Sequence, residues 1–480
     1  MALKILIENY TNMKNLFPVF ILLLFLASCV GPRYSTPETK TAGIYQKYLF
    51  DTLTTESDTI LNLRWWNLFN DNELNTLIEY ALKNNNNVLM AAQRVEQARV
   101  ILGITKADQY PSFGYSAGAA RGNYSGQSVP LGNNFYANAN LNWEIDFWGK
   151  YRAASESARA SLASSTYGMR SVQISLISTV AQSYYLILDL QNKVLISQQT
   201  LDTRDSALHI IQQRYNAGII PEIDLNQAQI NQAIALGSVP FYQRQLALAK
   251  NALSSLMGKT PSRFNFRMNI NEVRLQNKIP YGIPSQILRR RPDILASEEA
   301  YHAQFKQINI AVAQRFPSIS ITGLMGGASN ELSILTSTGL AWNIGSGILG
   351  PLFNFGKNKR RVEMERAKAK EAYYNYNNVV LQAFREVEDA LVSIETLKKE
   401  VSAREKQSIA AINAERLSKM RYDKGITSYL EVLENQRSAF NAQISLSQTK
   451  EKLLFNYIAL YKALGGGWLN KEEENQGKAK

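Results

Sequence analysis

The chain has 480 residues, 45% of them hydrophobic and 19% charged, which excludes disorder for most of its length without forcing a general membrane class. Its formal net charge of +13 is spread along stretches that also carry Glu and Gln, the pattern of solvated helical faces, so no nucleic-acid partner is expected. One cysteine, Cys29, excludes an intramolecular disulfide framework.

At the N-terminus, Leu16 to Ala27 is an apolar run behind Lys14, shorter than the roughly twenty residues a spanning helix needs. Residues 1–28 therefore read as a secretory signal peptide, with translation starting at Met1 or Met13. Leu26-Ala27-Ser28-Cys29 resembles a lipobox, in which cleavage exposes the cysteine for acylation, and Val30 rather than Asp after it resembles lipoproteins sorted to the outer membrane. Several acyl chains hold a protein on a bilayer where one holds only marginally. Residues 29–70 then form a lipidated, peripheral N-terminal segment.

Beyond it the chain repeats itself. Gly149-Lys150 returns as Gly356-Lys357 (356 − 149 = 207), Arg214-Tyr215-x-x-Gly218 as Arg421-Tyr422-x-x-Gly425, and Gly258 as Gly465, all at the same offset. Tyr110-Pro-Ser-Phe113 returns as Phe316-Pro-Ser-Ile319 with a slip of one (316 − 110 = 206). A shared spacing marks two structural repeats, 71–258 and 285–465, with 259–284 between them and a polar tail at 466–480.

Each repeat reads helix, strand, strand, long helix, return helix. The first begins with a helix over about 72–108. Alternation then predicts strands over about 112–121, with Phe113, Tyr115, Ala117 and Ala119 on one face, and about 135–146, with Phe135, Ala137, Ala139, Leu141, Trp143 and Ile145 opposite polar neighbours. No proline interrupts 131–220, and the Ala-, Ser- and Gln-rich run 150–216 predicts one helix of roughly 100 Å at 1.5 Å per residue. It stops at Gly218, placed for a left-handed C-cap, and a return helix spans about 222–257, with Pro240 expected to bend or interrupt it. The second repeat predicts helix 293–314, strands 317–328 and 338–350, long helix 357–423 and return helix 428–464.

Strands of this length with one apolar face suit a membrane-spanning sheet, where no free edge is tolerated. Four strands cannot close, so copies of the chain must pool them; two copies give eight strands with an interior filled by side chains, three give twelve with an aqueous bore, and a conduit favours three.

Several ordered motifs resemble the lipoprotein (OprM/NodT) branch of the TolC-like outer membrane factors. They are Cys29 to Pro37, Trp65-Trp66 with Phe69, Arg94-x-x-Gln97-Ala98-Arg99, Trp143 to Lys150, Ile283-Pro284-Ser285, Arg291-Pro292-Asp293 and Arg315-Phe316-Pro317-Ser318. The resemblance covers about residues 29–467. It implies a mainly α fold with membrane β: a duplicated TolC-like chain forming a trimeric twelve-stranded β-barrel continuous with a long periplasmic α-barrel. It also implies an outer-membrane location and a passive exit duct for a tripartite efflux system. The partners would be two further copies, outer-membrane lipid, a periplasmic adaptor and an inner-membrane transporter of RND type.

The resemblance places a periplasmic gate just beyond the second Arg-Tyr-x-x-Gly turn, at Leu430, Glu431 and Glu434, with Asp224 the first-repeat counterpart of Glu431. Glu431 and Glu434 stand three apart and share a helix face, so a trimer would form acidic rings that favour cations. Glu434 departs from the family, which usually has Asp there. The turns at Arg214, Tyr215, Gly218, Arg421, Tyr422 and Gly425 would lie at the tip, as adaptor contacts or as caps.

No enzyme chemistry or cofactor is expected. His209 and His302 lack metal-ligand spacing, and Gly345-x-Gly347-x-x-Gly350 runs into Pro351 without opening a helix. Glu144 and Asp146 have no partner in a pocket and read as pore lining. The competing reading is a lipid-anchored coiled-coil scaffold or adaptor, for which the helical hairpins alone would suffice.

Overall fold

The computed structural model describes residues 31–37, 65–122, 132–273, 290–335 and 339–466. The signal segment, Cys29, the Ile283-Pro284-Ser285 motif and the tail beyond 466 lie outside the described residues. After a 3-10 turn at Trp65–Phe69, the element order is α1 (Asn72–Asn84), α2 (Asn86–Ala107), β1 (Ser112–Gly122), β2 (Gly132–Ile145), α3 (Lys150–Asn216) and α4 (Glu222–Leu256). It continues with α5 (Pro292–Ala313), β3 (Ser318–Ser329), β4 (Ala341–Leu349), α6 (Lys357–Asp423) and α7 (Tyr429–Ala463).

The duplication is copied to the residue in the helices: α3 and α6 have 67 residues each, and α4 and α7 have 35 each. The backbone repeats with them. Gly149 and Gly356 have φ of 75° and 79°, Gly218 and Gly425 71° and 73°, Gly258 and Gly465 67° and 70°. Every pair is the 207-residue offset expressed as a left-handed backbone position, which only glycine occupies without steric cost.

Two expectations need correction. The first helix is broken in two at Asn85, whose backbone is extended (φ −72°, ψ 123°). In the run Asn84 to Asn87, the Asn85 side chain accepts from the Asn87 and Val88 amides and donates to Leu256 O, so it caps a new helix instead of continuing the old one. Conversely, α4 runs through Pro240 without interruption. Ala235 and Val239 bury against Leu201, so packing outweighs the lost hydrogen bond.

Two compact units are formed, each drawing on both repeats. Among the described residues, the first holds 31–37, 94–122, 132–166, 296–335 and 339–377 and contains the sheet. Its strands run in order β1-β2-β3-β4, all antiparallel. Register aligns the apolar positions across the four strands: Phe113 faces Leu141, Leu141 faces Gly323, Gly323 faces Ile344, and Tyr115, Ala139, Met325 and Trp342 form the adjacent row. The other face carries Ser112, Asn142 and Thr322 in one row and Gly114, Asn140, Leu324 and Asn343 in another. The apolar face is bare: Phe113 is 82% exposed, Tyr115 91% and Trp342 72%. Beneath the sheet, small residues of α3 let α5 approach closely, with Ser157 Oγ donating to Ala303 O and Ser164 Oγ to Ala296 O, both at 2.8 Å.

Among the described residues, the second unit holds 65–93, 167–273, 290–295 and 378–466. Trp65, Trp66 and Phe69 are its buried aromatic anchor; Trp65 stacks on Tyr461 at 5.4 Å and Phe69 meets Tyr185 at 5.5 Å. Arg291, also buried, ties three elements together through Asp293 (2.6 Å), Glu386 (2.8 Å) and Ala463 O (3.1 Å). A stretch of α3 is apolar and long enough to cross a membrane by composition, but most of that stretch is buried, as in a core helix.

Candidate functional site

The helical tip belongs to the second unit. There α3 and α6 each end in a Schellman cap: the Gly218 amide donates to Tyr215 O and Ile219 to Arg214 O, and in the second repeat Gly425 donates to Tyr422 O and Ile426 to Arg421 O. The predicted turn residues Arg214, Tyr215, Gly218, Arg421, Tyr422 and Gly425 thus include the caps themselves. Between the turns lies a small apolar core of Ile211, Leu225, Ala228, Tyr429, Val432 and Leu433, with Leu208, Ile220 and Tyr422 against it. The Tyr422 ring lies 5.3 Å from Tyr429 and beneath the Arg214 guanidinium at 5.1 Å. Burial, helped by Tyr422, pushes the Tyr429 phenol up to about 12, while Arg204 pulls the other way.

The structure brings the predicted gate residues to one side of α7. Val432, Leu433 and Gln436 turn inward, Leu430 and Glu434 are exposed, and Glu431 is half-buried between them. Asp224 is half-buried at the start of α4, close enough to Tyr429 to raise its pKa further. Each glutamate has a partner in its own chain. Glu431 accepts a hydrogen bond from the Thr427 hydroxyl and lies 3.9 Å from the Arg421 guanidinium, and Glu434 is ion-paired with Arg437. Sequence reasoning does not single out Thr427 or Arg437, and it places Arg421 at the tip as an adaptor contact or cap, not as a partner of Glu431; the Glu434-x-x-Arg437 spacing is the available signal. Behind the pair, Arg421, Lys424, Ile426, Glu431 and Asn435 line a cavity of about 480 Å³ together with Leu417 and Met420.

At the other end of α3, the carboxylates expected to line a pore are engaged locally. Glu144 accepts from Lys150 Nζ (2.6 Å) and Tyr151 OH (3.0 Å), and Asp146 accepts from the Tyr151 and Arg152 amides (3.0 and 2.8 Å), capping α3. Nearby Trp148 stacks on Phe316 at 4.5 Å and donates to Pro317 O. The two histidines pack: His209 meets Gln213, and His302 stacks on Tyr34 at 4.1 Å. Among the described residues no cluster of His, Cys, Asp and Glu is placed to hold a metal ion.

Comparison with known proteins agrees with this geometry. The profile of the family described as "Outer membrane efflux protein" matches twice, over residues 77–259 and 283–466, once per repeat. "Cation efflux system protein CusC" of Escherichia coli is 32% identical over 460 residues, covering 95% of this chain and 99% of that protein. "Probable outer membrane lipoprotein SilC" of Salmonella typhimurium is 30% identical, covering 93% and 97%. Among solved structures, the Campylobacter jejuni CmeC outer membrane channel superposes with a TM-score of 0.84 at 27% identity, covering 94% of this chain and 98% of that one. An amphipathic four-stranded sheet, paired long helical hairpins and a doubled profile match converge on one conclusion: the chain belongs to the outer membrane efflux protein family, with the fold of its TolC-like channels.

Proposed function

We propose that three copies of this chain assemble into a twelve-stranded outer-membrane barrel continuous with a periplasmic helical tunnel, the passive exit duct of a tripartite efflux system. The observation that carries this is the sheet. Its apolar residues are in register across four strands, Phe113, Tyr115, Met325, Trp342 and Ile344 among them are exposed, and its outer strands β1 and β4 have no further partner strand among the described residues. A sheet edge in lipid costs several kcal/mol per unsatisfied backbone group, so the edges must pair with other copies. A scaffold or adaptor has no use for such a face.

In this reading Cys29 carries the lipid anchor, and residues 71–258 and 285–465 are the two repeats that alternate around the tunnel. The gate is the second-repeat tip, where Leu430, Glu431 and Glu434, with Asp224 beside them, narrow the bore and favour cations. The Arg214 and Arg421 turns, with the cavity behind Arg421, receive the tip of a periplasmic adaptor that joins the channel to an RND-type inner-membrane transporter. Opening separates the second-repeat hairpins outward. The test is direct. The purified mature protein should run as a heat-labile trimer and conduct in planar bilayers, and Glu431→Ala with Glu434→Ala should change conductance or reduce cation preference. A water-soluble monomer, or unaltered conductance and selectivity, refutes the barrel and the gate respectively.

A further inference from the structure

The two strand-to-helix elbows are copies of one another, yet they treat their cations differently. At the first, Lys150 is held by Glu144 at 2.6 Å and Arg152 by Asp146 at 3.4 Å. At the second, Lys357 and Lys359 occupy the corresponding places, but Pro351 and Phe353 stand where the carboxylates were (351 − 144 = 207; 353 − 146 = 207). Arg360 and Arg361 extend the run. Lys359 lies 3.9 Å from Glu363, and Arg361 donates to Gln314 Oε1; among the described residues no carboxylate pairs with Lys357 or Arg360. All four cations are exposed.

The residues leading into this cluster are apolar and equally open. Leu352, Phe353 and Phe355 are 104%, 76% and 85% exposed, and the two rings pack on each other at 4.6 Å. Phe355 holds φ at 49°, a left-handed conformation that is costly for a bulky residue. Ile348, also exposed, continues the apolar face of the sheet to the edge of this patch. Aromatic rings with cations a few residues further along are the chemistry of a bilayer interface, where rings sit at headgroup level and Lys or Arg meets phosphate.

We propose that the second elbow, Leu352 to Arg360, is a binding surface for anionic phospholipid: Phe353 and Phe355 seat at the headgroup boundary, and Lys357 and Arg360 pair with headgroup phosphates. The first elbow, neutralised by its own Glu144 and Asp146, makes no such demand. Each chain therefore offers one anionic-lipid site. This rests on the reading of the sheet as a membrane wall.

The experiment uses detergent-purified, full-length trimers exchanged into micelles doped with phosphatidylglycerol or phosphatidylcholine, with retained lipid counted by native mass spectrometry. The native protein and Arg416→Gln/Lys419→Gln, an equal loss of two charges at exposed positions of α6, should retain phosphatidylglycerol in preference to phosphatidylcholine. The Lys357→Gln/Arg360→Gln variant should bind phosphatidylglycerol about thirty-fold more weakly, the equivalent of about 1 kcal/mol for each removed cation. Phe353→Ser/Phe355→Ser should weaken retention of both lipids, and excess inorganic phosphate should not displace either. Equal retention of the two lipids by the native trimer, unchanged retention in the double-Gln variant, or displacement by free phosphate overturns the proposal. The membrane reading fails on a different result, the absence of a trimer in the unheated sample.

Discussion

Replacing Glu431 should unlatch the gate, and the structure sets the size of the effect. Its carboxylate has two partners in its own chain: the Thr427 hydroxyl, and Arg421 at 3.9 Å with side chains 54% and 39% exposed. An ion pair that open to water is worth about 0.5 kcal/mol. The half-buried hydrogen bond to a charged acceptor adds about 1.5 kcal/mol. If both contacts break on opening in each of the three proposed subunits, they hold the resting tip by about 6 kcal/mol, enough to move a two-state equilibrium by about 10⁴-fold, whereas the ion pairs alone supply about ten-fold. Glu431→Ala should therefore raise the ratio of open to closed dwell times in single-channel recordings by far more than ten-fold. Glu431→Gln, which keeps an acceptor for Thr427, should raise it by about ten-fold. Raising salt from about 0.1 M to about 1 M shortens the screening length from about 10 Å to about 3 Å, so it should shrink the difference between Glu431→Gln and the native channel. A native dwell ratio in Glu431→Ala, with the trimer intact, would refute the latch.

Arg291→Ala leaves the Asp293 and Glu386 carboxylates unpaired and Ala463 O without its donor, and should cost about 3–5 kcal/mol in urea unfolding, with Arg291→Lys recovering only part. Gly258→Ala puts a Cβ 2.4 Å from Asn84 O at a φ of +67°, whereas Gly425→Ala meets open space at +73°. The first should lose about 3 kcal/mol or more and the second about 1 kcal/mol, compared by thermal unfolding. Burial, with Asp189 nearby, raises the Glu451 carboxyl to about 7 against the opposing charge of Lys193 and Lys452. An acid whose folded pKa is raised loses stability as pH climbs from its unfolded value near 4.5 through 7. Glu451→Gln should thus be more stable than the native chain at pH 8, with the difference vanishing below about pH 5 in parallel denaturation curves.

What the sequence revealed and what it concealed separate along physical lines. Proline-free intervals and left-handed glycines are local backbone constraints, and they placed α3, α6 and the return helices to within a residue or so. Period-two alternation is likewise local, and the register confirms a two-faced sheet. The break at Asn85 escaped because Asn tolerates both helix and cap, and a contact with Leu256 O decides between them. The intrachain partners of Glu431 escaped for the same reason: whether Arg421 reaches it depends on how a turn folds back. The engagement of Glu144 by Lys150 and Tyr151 likewise depends on how the elbow folds back.

The duplication copies the scaffold of the tip but not its catch. Where the second repeat has Thr427, Glu431, Glu434 and Arg437, the first has Ile220, Asp224, Gln227 and Ile230 at the 207-residue offset. In the proposed ring of three chains, the tip would then be an iris of six blades with only alternate blades fastened, and three releases would suffice to widen it.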